Sequence, residues 1–247
     1  MREMLSTESC RIYEEIGLRE LQGGPIRPGG LALTQRAIAL SGLPKGSRLL
    51  DIGCGAGATI RYLKDACGFD AFGMDPSSLL LAEGAAKHVR IALVRGKGEC
   101  IPFRDSVLAG VLAECSLSVT EKVEEVLGEC WRVLKPGGLL IVNDVYARNP
   151  GGVAAVRTLP MECCLVGAVS RDEWASRMEG SGFQVKLWED HSLALKEFAA
   201  QLVFSYGSLE AFWCRSRTGA RQDEIRETQR VVARALPGYF LMIAQRG

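Results

Sequence analysis

Short apolar runs alternate with segments of helical periodicity along the first 145 residues of the chain. The runs of strand length cover residues 48–52, 70–75, 91–95, 107–115 and 139–144. Between them, apolar side chains recur at the spacing of one helix face over residues 57–67, 77–87 and 121–134. Strands separated by helical runs pair in parallel, with helices on both faces of the sheet. The pattern therefore predicts a doubly wound, mostly parallel α/β fold.

The segments on either side of this alternation are expected to be mainly helical. Helices are predicted over residues 7–21 and 31–40, and a capping box at Ser170–Glu173 opens a further helix that ends at Met178. Strand six at 184–188 and a closing strand at 238–244 are separated by predicted helices at 192–212 and 220–236. These helices either pack on the flank of the sheet or cap the mouth of the site.

We therefore expect one domain with a seven-stranded sheet and extra helices between strands six and seven. Residues 1–44 form its N-terminal helices, residues 45–145 its ligand-binding core, and residues 146–247 a lid loop (146–169), the helical insertion and the closing strand. A long loop after the carboxyl end of a strand is typical of a functional lid.

Composition narrows the class of ligand. The 247 residues include 30 basic and 29 acidic side chains, so the chain has no excess of basic residues with which to bind a nucleic acid.

The sequence also bears on the location of the protein. No apolar run reaches the ~18 residues of a membrane span, and the N-terminus lacks a signal-peptide core, so a cytoplasmic location without membrane contact is expected. The nine cysteines have no regular spacing and are expected to stay reduced. The oligomeric state is left open.

The first strand runs directly into a glycine-rich turn, Leu-Asp-Ile-Gly-Cys-Gly-Ala-Gly at residues 50–57. Glycine at 53, 55 and 57 brings a ligand against bare main chain, as in nucleotide-binding βα turns. The acid that precedes the glycines, Asp51, suits a ligand that carries a cation. A second acid, Asp75, ends the next strand and is placed either to accept the hydroxyls of a ribose or to cap the following helix.

These residues resemble motif I of the class I S-adenosylmethionine (SAM) methyltransferases. Residues 96–105, Gly-Lys-Gly-Glu-Cys-Ile-Pro-Phe-Arg-Asp, are similar to the adenine-contacting segment of the ubiquinone/menaquinone-type members, and residues 132–138 match their R-V-L-K-P-G-G pattern. Lys97 stands where that family has an acid. The resemblance implies a Rossmann-like fold, SAM as cofactor, S-adenosylhomocysteine (SAH) as product, and the following cofactor-binding residues: Asp51, Gly53, Cys54, Gly55, Gly57, Asp75, Pro76, Gly98, Glu99 and Glu114.

A sulfonium is already an activated methyl donor, so the protein has to align the acceptor, exclude water and, where needed, remove a proton. The candidates for that base are Glu114, His191 and Tyr146, which follow or end predicted strands. The expected activity is SAM-dependent methyl transfer to a small-molecule acceptor through oxygen, carbon or a thiol/arsenic-type nucleophile. A non-catalytic SAM-binding regulator is the alternative from a different class.

Residues 161–170, Met-Glu-Cys-Cys-Leu-Val-Gly-Ala-Val-Ser, are similar to a stretch of the arsenite methyltransferases in which cysteine binds the metalloid. Cys115 falls after strand four, where those enzymes also carry a cysteine. The resemblance implies Cys115, Cys163 and Cys164 as metalloid ligands, because trivalent arsenic prefers soft thiolates. No resident metal site is expected, and inert packing of the three thiols is the alternative.

Overall fold

A computed structural model of the chain describes residues 11–14, 25–88, 91–159, 163–209 and 222–247. Most of the helix predicted at 7–21 lies outside these ranges, as do Met161, Glu162, Cys10 and Cys214. The eight strands of the described part are β1 (Arg48–Ile52), β2 (Asp70–Asp75), β3 (Ala92–Arg95), β4 (Leu108–Glu114), β5 (Leu134–Ala147), β6 (Val169–Ser170), β7 (Phe183–Asp190) and β8 (Pro237–Arg246).

The α-helices of the described part are α1 (Arg11–Glu14), α2 (Gly30–Ser41), α3 (Ala58–Asp65), α4 (Ser78–Lys87), α5 (Val123–Val133), α6 (Val153–Arg157), α7 (Arg171–Gly180), α8 (Ser192–Tyr206) and α9 (Gln222–Ala235). Short 3₁₀ turns occupy Leu117–Val119, Pro150–Gly152 and Cys164–Gly167. Side-chain caps start two of the helices: Ser77 accepts a hydrogen bond from the amide of Leu80, and Ser170 from that of Glu173. The described helices include none with the length and apolar character of a membrane span.

The sheet has the strand order β3-β2-β1-β4-β5-β8-β7, and the two-residue β6 pairs with β5 off this path. Strands β1 to β5 run parallel, whereas β8 lies antiparallel between β5 and β7. This confirms the doubly wound α/β fold. The register sets Ile52 opposite Met74 on one side and Ala113 on the other, so β1, β2 and β4 end at the same edge.

Both faces of the sheet are buried, as the continuous apolar runs predict. Leu49, Leu112 and Ile141 belong to the core on one face. The next residues along the same strands, or those just before, belong to the core on the other face, for instance Leu50 and Val111. The two cores fix the strand ends from both sides, which holds the ligand-binding edge in place.

Three local expectations are wrong. Strand β5 spans Leu134–Ala147 rather than 139–144, since it pairs with β8 along nine positions from Leu139 to Ala147. The 146–169 segment is not a structureless loop, because residues 150–157 form a 3₁₀ turn and α6, which pack against α9. Trp131 is one of the apolar side chains that the helical spacing over residues 121–134 predicts to be buried, but it is 36% exposed and its ring is covered by the guanidinium of Arg246.

Candidate functional site

A cavity of about 1040 Å³ opens at the carboxyl ends of β1, β2 and β4, the edge where open α/β sheets bind ligands. Its wall combines the glycine turn after β1, the acid at the end of β2 and the segment after β3. The residues expected to bind a cofactor that line it are Gly53, Cys54, Gly55, Asp75, Pro76, Gly98, Glu99 and Glu114. Asp51 and Gly57 support this wall without lining it.

The glycine turn is built so that bare backbone faces the cavity. Gly53 and Gly55 take left-handed φ angles of +75° and +54°. A Cβ on Gly53 would lie 2.6 Å from the Cβ of Ser116, whereas a Cβ on Gly55 would meet only Leu80, at 4.0 Å. Gly57, the N-cap of α3, faces Ile91 instead. Gly53 therefore allows close packing, and Gly55 leaves open space beside the cavity.

Asp75 ends β2 at the cavity wall and is 6% exposed. Its Oδ2 accepts a hydrogen bond from the amide of Gly55 and its Oδ1 one from the amide of Ser77, both at 2.8 Å. Burial raises the pKa of this carboxyl above the ordinary value. Ser77 caps α4, so Asp75 is free of that role. The carboxylate is locked in place with lone pairs left for a ligand.

Glu114 ends β4 and is buried among four donors. Its Oε1 accepts from Thr34 Oγ1 and Asn143 Nδ2, each at 2.8 Å. Its Oε2 accepts from Thr59 Oγ1 at 3.0 Å and pairs with Arg27 Nη2 at 2.7 Å. A carboxylate has about four acceptor positions. All are filled here, so Glu114 has none for a substrate proton or a ligand ammonium while these bonds hold.

Asp51, at 2% exposure, lies deeper than Glu114. Its Oδ1 has no hydrogen-bond partner in the described part of the protein. Its pKa is raised well above the ordinary value, first by burial and then by the charge of Glu114, and Arg27 opposes this shift. A buried acceptor without a hydrogen bond lowers the free energy of unfolding by about 1–3 kcal/mol. This oxygen is thus an unused acceptor beneath the glycine turn.

The segment after β3 closes the other end of the cavity. Gly98 packs against Val126 so tightly that a Cβ would lie 2.9 Å from Val126 Cγ1. Glu99 and Cys100 line the cavity beside it. Lys97, which replaces the acid of the resembling family, also lines the cavity. Glu99 is therefore the acid that this segment presents to the cavity, one residue after Gly98.

Two of the candidate bases lie away from the cavity. The Tyr146 hydroxyl donates to Asp190, and its ring packs against Trp188 and Phe240. Burial is the first cause that raises the Tyr146 pKa. His191 Nε2 lies 3.0 Å from Glu189 Oε2, on the side where Glu189 also pairs with Arg36. The structure does not bring either residue together with the cavity-lining set.

Cys115 and Cys164 are brought together, as the sequence suggested. A hydrogen bond with Cys164 is the first cause that raises the pKa of the Cys115 thiol, followed by burial. Cys163 lies near enough to raise the pKa of Tyr13, whose hydroxyl accepts from the amide of Cys164 at 3.3 Å. Within the described ranges, no group of three or more His, Cys, Asp or Glu side chains is arranged to hold a metal ion. Cys115 lines the cavity.

Sequence reasoning missed Arg27 and Tyr13, which both line the cavity. Arg27 lies in a glycine- and proline-rich stretch that predicts only a loop, and Tyr13 lies in a short helix with no motif. Nothing local distinguishes either residue. The only signal was position, since both precede the first strand and can fold back over its carboxyl end.

The fold and the cavity define a doubly wound α/β protein with a ligand-sized cavity at the topological switch point of its sheet. Residues 50–142 match a family model described as a methyltransferase domain. The chain is 30% identical over 152 residues to 24-methylenesterol C-methyltransferase 2 of Oryza sativa subsp. japonica, a match that covers 57% of this chain and 42% of that relative. The chain thus spans less than half of the length of this curated relative.

Solved structures share the fold over nearly the whole chain. The [4+2]-cyclase SpnF superposes with a TM-score of 0.76 at 21% identity and covers 97% of each chain. Phosphoethanolamine N-methyltransferase 2 of Haemonchus contortus, solved with SAM, superposes with a TM-score of 0.70 at 17% identity, covering 98% of this chain and 58% of that one.

The family match over residues 50–142, together with the relatives named as methyltransferases, supports a class I SAM-dependent methyltransferase domain in this chain. This family uses SAM as methyl donor. The residues present fit that group: Gly55 leaves open space beside bare main chain, and the locked Asp75 carboxylate at the same cavity keeps acceptor positions for a diol.

Proposed function

We propose that this protein transfers a methyl group from SAM to a small, largely apolar acceptor molecule. The observation that carries the proposal is the Asp75 carboxylate, held by the amides of Gly55 and Ser77 at the wall of a cavity of about 1040 Å³. When bound, SAM supplies a methyl group activated by a sulfonium. The cavity is large enough for the cofactor and an acceptor together.

The cofactor's parts correspond to distinct groups of the wall. Asp75 accepts the ribose hydroxyls, the backbone at Gly53 and Gly55 faces the sulfur-bearing chain, and Gly98 with Glu99 contacts the adenine. These assignments follow from the order of the strands, because β2, β1 and β3 each contribute one of them at the same sheet edge. Gly57 and Asp51 lie behind the wall and do not contact the cofactor. Gly57 allows the backbone turn into α3, and Asp51 contributes to the electrostatic potential at the wall.

The acceptor side is formed by Tyr13, Ile26 and Cys115, which we call the acceptor wall. Burial is the first cause that raises the pKa of Tyr13, and the contact with Cys164 followed by burial raises that of Cys115. Both groups therefore stay protonated at neutral pH and cannot remove a proton. A neutral, apolar wall suits an acceptor that is nucleophilic without a protein base, with water excluded around it.

Turnover with SAM tests the proposal. Purified protein is incubated with SAM and a panel of apolar carbon, oxygen and thiol nucleophiles, and SAH is quantified by mass spectrometry. We expect SAH formation that depends on one acceptor class and falls at least tenfold in Tyr13→Ala, which opens the acceptor wall. Leu193→Ala, on the exposed face of α8, is the matched control and should retain the rate.

A thiophilic acceptor such as trivalent arsenic is a second candidate, favoured by the contact between Cys115 and Cys164. Arsenite should then raise the melting temperature, since a ligand that binds only the native state stabilises it. Cys115→Ser or Cys164→Ser should abolish the rise, whereas Cys67→Ser, away from the cavity, should not. No stabilisation by arsenite leaves an organic acceptor.

A SAM-binding regulator without turnover is the third candidate. One protein with this fold is a [4+2]-cyclase by description, so the fold alone does not determine the reaction. Lys97, in place of the family's acid, is the sequence feature that favours this candidate. Such a protein would bind SAH but release none from SAM with any acceptor of the panel.

A further inference from the structure

The short helix α1 contacts both sides of the cavity. Its residues Tyr13 and Glu14 line the cavity and are half-buried. The Tyr13 hydroxyl accepts a hydrogen bond from the amide of Cys164 at 3.3 Å, and Glu14 Oε1 accepts one from Ser77 Oγ at 2.6 Å. Two consecutive residues of one helical turn therefore bind two segments that are far apart along the chain.

The two partners of α1 lie at different strands of the sheet edge. Ser77 follows β2, whereas Cys164 begins the 3₁₀ turn that packs against β5. Strands β1 and β4 lie between β2 and β5. Neighbouring strands are about 4.8 Å apart, so β2 and β5 are separated by roughly 14 Å. Helix α1 thus crosses the carboxyl ends of β1 and β4, where the glycine turn faces the cavity.

The contact between Glu14 and Ser77 lies beside the acid that ends β2. The Ser77 hydroxyl accepts the amide of Leu80 as the cap of α4, and it donates its one proton to Glu14. Burial and, as the last cause, the charge of Glu14 raise the pKa of Asp75. The Glu14 carboxylate is therefore close to the end of the cavity at which Asp75 is held. A hydrogen bond to a carboxylate is roughly twice as strong as one between neutral groups.

The two ends of α1 are held by different forces. The Tyr13 ring packs in an apolar cluster with Ile26, Phe198 and Leu202, in addition to its hydrogen bond with Cys164. Separation at Tyr13 would expose this apolar surface to water, whereas separation at Glu14 breaks one hydrogen bond between half-buried groups. Local opening follows the contacts that are least costly to break. The Glu14 end is therefore the end that opens.

We infer that α1 closes over the bound cofactor and that the hydrogen bond between Glu14 and Ser77 sets the rates at which the cofactor and its product enter and leave the cavity. This inference rests on the proposed use of SAM. A covering helix opens in the free and in the ligand-bound protein, so a weaker closing contact accelerates entry and release by the same factor. A side chain that only contacts the ligand changes the release rate and the affinity instead.

Surface plasmon resonance with SAH over the immobilised protein measures both rates. In Glu14→Ala the association and dissociation rate constants should each rise about tenfold, as expected for the loss of a charge-assisted hydrogen bond, while Kd stays within threefold. Glu14→Gln keeps an acceptor oxygen for Ser77 but lacks the charge, so both of its rate constants should stay within threefold of the wild-type values. Glu179→Ala, an exposed acid on α7, is the matched control and should leave both unchanged.

A double-mutant cycle tests the contact from its other side. Ser77→Gly removes the hydroxyl that donates to Glu14, and glycine is tolerated at a helix N-cap, so α4 should stay folded. This variant should accelerate both rates as Glu14→Ala does. Because the two side chains act through one shared contact, the double variant Glu14→Ala/Ser77→Gly should be no faster than either single variant.

Three results would overturn the inference and leave the proposed function standing: unchanged rates in Glu14→Ala, faster release at an unchanged association rate, or single-variant effects that multiply in the double variant. If the wild-type protein does not bind SAH, the proposed function itself fails and takes the inference with it.

Discussion

At the residue scale, the site is defined by how completely each carboxylate is satisfied. Glu114 is saturated by four donors, Asp75 keeps acceptor positions on the cavity side, and Asp51 has one oxygen that meets no donor among the described residues. Three acids at three neighbouring strand ends thus have three different roles. Their sequence context alone, an acid at the end of an apolar run, does not distinguish them.

Asp144 gives a prediction about pH. This β5 carboxyl is fully buried and accepts from Ser118 Oγ at 2.5 Å and from the amides of Ser118 and Val145. Burial raises its pKa to about 6. A raised folded-state pKa favours the protonated form, so this contribution to stability is complete below about pH 4 and is lost as the pH rises through 6. The loss is on the order of 3 kcal/mol.

Urea unfolding between pH 4.5 and 8 measures this effect. The free energy of unfolding of the wild-type protein should decline relative to that of Asp144→Asn as the pH rises, because asparagine does not ionise. Asp172→Asn, exposed on α7, should follow the wild-type curve. A wild-type-minus-variant difference that is independent of pH for Asp144→Asn would show that this carboxyl does not titrate as described.

At the scale of elements, the strand ends could be predicted and the long-range partners could not. Apolar runs and glycines located β1, β2 and the turn between β1 and α3 within a residue or two. Burial on both faces makes those signals strong. The extent of β5 and the folding of 150–157 depend on β8 and α9, which pack against them from far along the chain. The sequence did not indicate Arg27 either, because its place at the cavity depends on partners that are distant along the chain, such as Thr59 and Glu114.

The glycine turn gives a prediction that separates stability from binding. Gly53→Ala should destabilise the protein by about 2 kcal/mol or more, since it adds a clash with Ser116 to the ~1–2 kcal/mol cost of a left-handed backbone. Gly55→Ala should lose only the stability that a left-handed backbone costs an alanine. It should nevertheless weaken SAH binding at least tenfold, because the added Cβ enters the open space beside the cavity. Thermal unfolding and calorimetry measure the two effects.

Gly128→Ala is the matched control for both variants. This glycine is exposed within α5, where a Cβ meets nothing within 4 Å, so alanine should stabilise the protein by about 0.5–1 kcal/mol and leave SAH affinity unchanged. Equal SAH affinity in Gly55→Ala and the wild type would remove the glycine turn from the cofactor site.

At the scale of the whole molecule, one sheet edge gathers residues that are distant in sequence, and the remaining helices are divided in their roles. Tyr13 and Ile26 of the cavity wall pack with Phe198 and Leu202 of α8, so α8 lies behind the acceptor wall. Helix α9 packs instead on residues 150–157. We therefore expect α8 to act as a cap and α9 to lie on the flank, which are the two arrangements predicted for the insertion.

Hydrogen exchange tests this division. Saturating SAH should slow amide exchange over residues 53–57, 75–77 and 96–100, and to a smaller degree in α8, because a ligand that binds the native state suppresses local opening around it. Exchange in α9 and over 150–157 should not change. Protection of α9 without protection of 53–57 would contradict both the site and the division of the helices.

The central claim, that this cavity binds the methyl donor through Asp75, is tested most directly by calorimetric titration of SAH. The wild-type protein should bind one SAH, and Asp75→Ala should weaken the affinity about 10- to 100-fold, since each charge-assisted hydrogen bond contributes ~1.5–3 kcal/mol. Asp70→Ala, an exposed acid at the start of the same strand, should match the wild type. Undiminished SAH affinity in folded Asp75→Ala, or no binding by the wild-type protein, would contradict the account.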